Sequence, residues 1–212
     1  MSTEFGYIGG NAPTQSGQNN SGLINPKDMY DLVTTDKLKF DSMYRHILTE
    51  EISGSPSTLD YTDSRLIKYS NLLVIGNNLQ ASEANYLLLR FSADGGSSFI
   101  SSGYSRYAYY GGSITALTND RNSSSTSIHL NITGNTHTEP NNFYLQISGL
   151  SNEFETRCAF YQVHDYTGHL RCGWGGGNYD THQRHNAFQI LNAGSGTHSS
   201  GKISIYGLEA GF

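Results

Sequence analysis

Eight histidines and two cysteines are the residues of this 212-residue chain best suited to holding a metal or moving a proton. His182 and His185 lie three apart, and His164, His169 and His198 fall in the same half of the sequence. A metal site needs such imidazoles to converge, usually with carboxylates or thiolates beside them. Its strong sequence signals are a helical HExxH or paired CxxC motifs. Neither is present. The histidines therefore read as polar strand and loop residues bonded to backbone or water, and no cofactor is expected. Cys158 and Cys172 fall in neighbouring predicted strands. A reducing cytoplasm keeps them as thiols, with a bridge across the hairpin as the alternative.

Nucleophilic and acid–base chemistry finds equally little support. No GxSxG element occurs, and no cysteine sits in a recognisable catalytic context. Asp60, Asp63 and Asp94 are the carboxylates available for a glycosidase pair, yet Asp94-Gly95 has the simpler role of a turn between strands. The glycine runs 173–177 and 194–201 precede no helix, so they lack the helix N-terminus that phosphate binding needs. The chain is expected not to be an enzyme. Trp174 is the lone tryptophan. As a large aromatic it is expected in the core, a sugar-stacking platform being its other role. With Tyr166 it forms the pair of candidate glycan contacts.

The elements that must position these residues are strands. Leu72–Ile75, Tyr86–Phe91, Tyr104–Tyr110, Ile128–Ile132, Phe143–Ile147, Cys158–Val163, Leu170–Trp174, Ala187–Asn192 and Lys202–Leu208 are apolar or alternate with period two. Gly76-Asn77-Asn78, Asp94-Gly95-Gly96, Gly111-Gly112, Gly134-Asn135 and Gly149 supply turn signals between them. Cys158–Val163 and Leu170–Trp174 form a predicted hairpin. About nine strands without long helical patterns predict an all-β chain, an antiparallel β-sandwich or jelly roll spanning residues 69–212. Residues 34–68 mix charges with scattered apolar positions and read as a connector, with the first strand within its scope. The chain stops at Phe212, four residues past its closing strand, so no C-terminal tail is expected.

Residues 1–33 differ in kind. The first 26 are rich in Gly, Asn, Gln and Ser, with Phe5, Tyr7, Ile8, Leu23 and Ile24 as isolated apolar pegs. Such a segment cannot bury enough surface to fold alone. It reads as a docking arm, followed by one short helix at Pro26–Leu32 with Asn25 as its cap. Net charge is -5, which offers no field for nucleic acid, and no run approaches the ~20 apolar residues of a membrane helix. Residues 1–12 lack the basic start and apolar run of a signal peptide.

Two regions together resemble virion structural proteins of tailed bacteriophages, the tail-fibre-like and appendage proteins of marine and cyanobacterial phages. Ala12-Pro13-Thr14-Gln15-Ser16, Asn20-Ser21-Gly22-Leu23-Ile24 and Asp28-Met29-Tyr30-Asp31-Leu32 are similar to an attachment segment. Leu89–Ser97 with Tyr104 resembles a strand-turn unit of that group, and Ser200–Leu208 its closing strand. The resemblance implies a β-sandwich displayed in multiple copies, often trimeric, assembled in the bacterial host cytoplasm and carried on the virion. Its partners are then other virion proteins of the tail, baseplate or capsid, and a host-surface glycan. The expected function is tail- or fibre-associated host adsorption, with head decoration as the alternative and a glycan depolymerase or free lectin behind it. In Tyr104–Tyr110, tyrosines fall on both faces of one strand, more than one core face absorbs. Tyr104, Tyr107, Tyr109 and Tyr110 are therefore the expected subunit interface of a homotrimer.

Overall fold

The computed structural model describes residues 14–16, 19–21, 44–82, 86–112, 115–130, 140–166 and 169–208. The predicted helix at Pro26–Leu32 and the arm residues Phe5, Tyr7, Ile8, Leu23 and Ile24 lie outside them. The chain divides into two units, Met1–Ser42 and Met43–Phe212. In the first, β1 (Thr14–Ser16) and β2 (Asn19–Ser21) pair antiparallel, Thr14 opposite Ser21.

The second unit is an all-β sandwich of two antiparallel sheets. The larger has eight strands in the order β3 (Tyr44–Glu51), β14 (His198–Leu208), β5 (Asn71–Ala81), β10 (Asn141–Ser148), β11 (Arg157–Tyr166), β12 (His169–Tyr179), β7 (Tyr104–Gly112) and β8 (Thr115–Ser125). The smaller runs β4 (Thr58–Tyr61), β13 (Ala187–Asn192), β6 (Leu87–Ser92) and β9 (Ile128–His129). The alternation of the sequence decides which side of each strand is buried. In β10, Phe143, Leu145 and Ile147 are enclosed while Asn142, Tyr144 and Gln146 face solvent. Leu72 and Val74 of β5 and Ile203 and Ile205 of β14 continue the same inner face. Leu59, Leu89, Phe91, Phe188 and Ile190 of the smaller sheet belong to the same core. Each such side chain contributes about 1.5–3 kcal/mol on burial.

The sandwich starts earlier than residue 69. The predicted connector 34–68 supplies β3, β4 and a 3-10 turn at Leu66–Lys68. Among the described residues Ile47, Ile52, Leu59, Tyr61 and Leu66 are its buried apolar positions, and the charges among them together with a register shift in β3 between His46 and Leu48 obscured the period. Gly76-Asn77-Asn78 is no turn. Strand β5 runs through it to Ala81, with Asn78 at φ 51° and an irregular register against β10 and β14. The predicted hairpin is present as β11 and β12, in register from Arg157↔Asn178 to Tyr166↔His169.

Asp94-Gly95-Gly96 does close a strand, β6. The Asp94 carboxylate accepts from Ser92 Oγ (2.7 Å), Ser98 N (2.9 Å) and Ser98 Oγ (2.6 Å), and these bonds hold its pKa down at about 2. Gly95 and Gly96 take φ of 75° and 88°, a region that side-chain-bearing residues avoid.

Candidate functional site

The described histidines are dispersed, with His137 and the side chain of His169 lying outside the described residues. His185 is buried between the rings of Phe91 (5.3 Å) and Tyr179 (5.1 Å), with Nδ1 2.7 Å from Thr156 Oγ1. His198 is fully enclosed, and His164 is buried on β11. Burial lowers the pKa of His185 and of His198 to about 4. His129 stacks on Tyr86 at 4.6 Å, and burial together with the Arg106 charge lowers it to about 4 despite Asp120 nearby. His182 lies edge-on to Phe154. Among the described residues no three His, Cys, Asp or Glu side chains come together as metal ligands.

The other reactive candidates also have local occupations. Cys158 lies opposite Gly177 and Cys172 opposite Val163, so the hairpin separates the two thiols and both are free. The bridge across the hairpin is therefore ruled out. Burial raises the Cys158 thiol to about 12, which leaves no thiolate at neutral pH. Asp60 accepts from Gln189 Nε2 (2.7 Å), Asp63 pairs with Arg65 (2.7 Å), and Asp94 organises its turn.

What the sheet does bring together is aromatic. Across four adjacent strands, Tyr144 of β10 stands opposite Tyr161 of β11, Tyr161 opposite Trp174 of β12, and Trp174 opposite Tyr109 of β7. Tyr144, Tyr161 and Trp174 are 54%, 47% and 44% exposed. Neighbouring strands lie about 4.8 Å apart, so the row spans about 14 Å. Tyr109 and Trp174 have nearly parallel rings 6.0 Å apart. Tyr107, next outward on β7, meets Tyr109 edge-on at 5.1 Å, and their hydroxyls share a 2.5 Å hydrogen bond that raises the pKa of Tyr107.

This placement corrects two expectations. Trp174 is not in the core, because its neighbours Gly173 and Gly175 on β12 take the inward positions. Tyr104 is not available to another subunit: it is wholly enclosed, its hydroxyl accepting from Phe91 N (2.9 Å) and donating to Ile100 O (3.1 Å). Tyr110 packs half-buried against the core. Only Tyr107 and Tyr109 of that set face outward. Tyr166 ends β11, and its side chain lies outside the described residues.

Beside the row, the sheet surface drops. The next outward positions are Gln146, Ala159, Gly176 and Tyr107, again in register. A Cβ on Gly176 would lie 2.4 Å from the Cys158 carbonyl oxygen, and one on Gly175 would lie 2.4 Å from Ala108 Cβ. Close strand approach thus demands glycine at both positions, and on the outer face it leaves the floor bare of a side chain at Gly176. Over it opens a cleft of about 750 Å³ bordered by Tyr107, Arg121, Arg157, Glu155 and Asn178. Arg157 is paired with Glu155 at 3.0 Å. Ser105 and Asn178 donate to Asp180 at 2.7 and 2.8 Å.

A ridge of exposed rings beside a shallow polar trough suits a carbohydrate. The C–H faces of a pyranose pack on aromatic surface, and its hydroxyls bond to phenol, amide and guanidinium groups. Sequence reasoning missed Tyr144, Tyr161 and Arg121. The alternation that marked Phe143 and Leu145 as core already placed Tyr144 outward, but strand order, which aligns the four rings, is not written in the local pattern. Fold and face define an antiparallel β-sandwich with a solvent-facing aromatic row. Protein-family models, curated proteins and solved structures yield no match to the chain.

Proposed function

We propose that the protein is a non-enzymatic adsorption component of a tailed-phage virion, attached through its arm at residues 1–33 and binding host-surface glycan with the outer face of its larger sheet. The observation that carries the glycan part is the register row Tyr144–Tyr161–Trp174–Tyr109. Large, half-exposed aromatic side chains lose apolar hydration on contact and keep polar edges for hydrogen bonds. A modest affinity per copy multiplies when many copies face one surface. The virion part rests on the sequence resemblance at the arm, the strand-turn unit and the closing strand. A tail or fibre position is favoured because adsorption is a task for the part that meets the host.

Retention of the protein on host cells or their extracted polysaccharide tests the reading. Trp174→Ala with Tyr161→Ala is expected to abolish retention without unfolding the sandwich, and unchanged retention overturns the glycan face. Release of reducing ends from the same polysaccharide would convert the reading to a depolymerase. Deletion of residues 1–26 is expected to prevent incorporation into particles, and electron microscopy of particles separates tail from head.

A second reading concerns the same face. Tyrosine is enriched where proteins meet, so Tyr107 and Tyr109 also suit a homotrimer contact or a capsid-decoration contact. A ring enclosed by a neighbouring subunit is not open to sugar. Light scattering and glycan binding on one sample therefore discriminate: a trimer that still binds glycan places its contacts elsewhere.

A further inference from the structure

We infer that the cleft beside the aromatic row is an anion subsite, and that the glycan this face takes is acidic, bearing carboxylate, sulfate or phosphate substituents. The inference rests on the glycan reading above and adds the chemical class of the ligand. The cleft lies one to two outward positions along the strands from the row: Gly176 and Tyr107 follow Trp174 and Tyr109, and Asn178 and Ser105 follow those. A chain stacked along the row therefore projects its substituents over the side-chain-free floor at Gly176 and toward Arg121, which stands directly opposite Tyr107 on β8.

The charges around the cleft are not equivalent. Arg157 is matched by Glu155, with Nε and Nη2 both on Oε2 at 3.3 and 3.0 Å. Arg106, which also borders the cleft, is committed to Asp120 (2.8 Å) and Ser125. Asp180, the remaining nearby carboxylate, is held by Ser105 and Asn178. Arg121 is exposed, and among the described residues it has no ion-pair partner. A guanidinium presents a planar fork of donors that fits a carboxylate or a sulfate oxygen pair, and a charge-assisted bond of this kind is the stronger sort of hydrogen bond. Asn122 and Ser123, which border the same cleft, add neutral donors for the remaining oxygens. Tyr107 gives the sugar ring an aromatic wall next to the charge. The site thus combines a stacking surface, room for a substituent and one uncommitted cation, in a protein whose net charge of -5 offers no general attraction to anions.

The test is a glycan array holding neutral, uronic, sialylated, sulfated and phosphorylated members, probed with the wild-type protein, Arg121→Gln and Trp174→Ala. Binding to acidic members is expected, weakened about tenfold by Arg121→Gln, as the loss of one charge-assisted bond implies. Loss on Trp174→Ala is expected for every member. Carboxyl reduction of a bound uronic oligosaccharide should cost the wild type about as much as the Arg121 substitution does, and should cost that variant nothing further. The pattern of acidic members bound tells carboxylate from sulfate and phosphate. Binding of neutral members with Arg121→Gln unchanged overturns the anion subsite and leaves the glycan reading standing. Absence of binding to any member by folded wild-type protein overturns both.

Discussion

Strand β7 sends tyrosines to both sides of the larger sheet, and the two sets are held in different ways. Tyr104, inside, has a phenol with two assigned backbone partners, and burial raises its pKa to about 12. Tyr107 and Tyr109, outside, spend their hydroxyls on each other and stand against Trp174 rather than the core. The inner face is organised by exclusion of water, so every polar atom there needs a fixed partner. The outer face is organised by register, which aligns rings from four strands without enclosing any of them. Residue type alone does not say which regime a tyrosine enters; its parity along the strand does.

Truncation should separate the faces most sharply. Phe91→Ala, which empties the space against Tyr104 and His185, is expected to cost about 3–5 kcal/mol in urea unfolding. A cost near zero would mean the inner face is not tightly packed at that point. Acid should act next, and between about pH 7 and 4.5 chiefly through the buried histidines. His185 and His198 have folded pKa values of about 4 against an ordinary 6.5. A group depressed in this way leaves stability intact above about pH 6.5 and withdraws it as pH falls toward 4, by up to about 3 kcal/mol for each histidine. A urea midpoint that stays flat between pH 7 and 4.5 would break the comparison. Tyr104→Phe should follow with about 1–3 kcal/mol, since it strands the Phe91 amide and the Ile100 carbonyl in the core. Trp174→Ala should be smallest, under about 1 kcal/mol, because it removes an outer ring and opens no enclosed space. Under the proposed function its effect is expected in glycan retention instead. A large stability loss there would show that the row is structural.

Most of the architecture was legible where one face of a strand is buried. Phe143, Leu145 and Ile147, or Ile203 and Ile205, declare their strand through period two, and the glycine-marked turn at Asp94 declares where one stops. Three features hid. Strand β3 carries several charges and a register shift, and β4 is only four residues long, so their buried residues looked scattered. Strand β8, Thr115–Ser125, pairs with β7 alone at the end of the sheet, and its sequence shows no apolar period. The glycine run 173–177 read as flanking a strand that ended at Trp174, yet it lies within β12, where the neighbouring strands leave no room for a Cβ at Gly175, Gly176 or Gly177. The candidate site was legible only in part. Trp174, Tyr107 and Tyr109 could be named from the sequence, but their alignment with Tyr144 and Tyr161 depends on a strand order that no local pattern carries.

The polar edge strand has a further consequence for a protein expected at high local copy number. An open sheet edge offers unpaired amides and carbonyls to the next molecule, and flat apolar edges invite fibrillar stacking. Here the end of the larger sheet is Thr115–Ser125, with Asp120 and Arg121 at its middle and two register shifts in its pairing with β7. Such a border is charged, irregular and a poor template. At this edge, crowded copies can then lie side by side without zipping into a fibre.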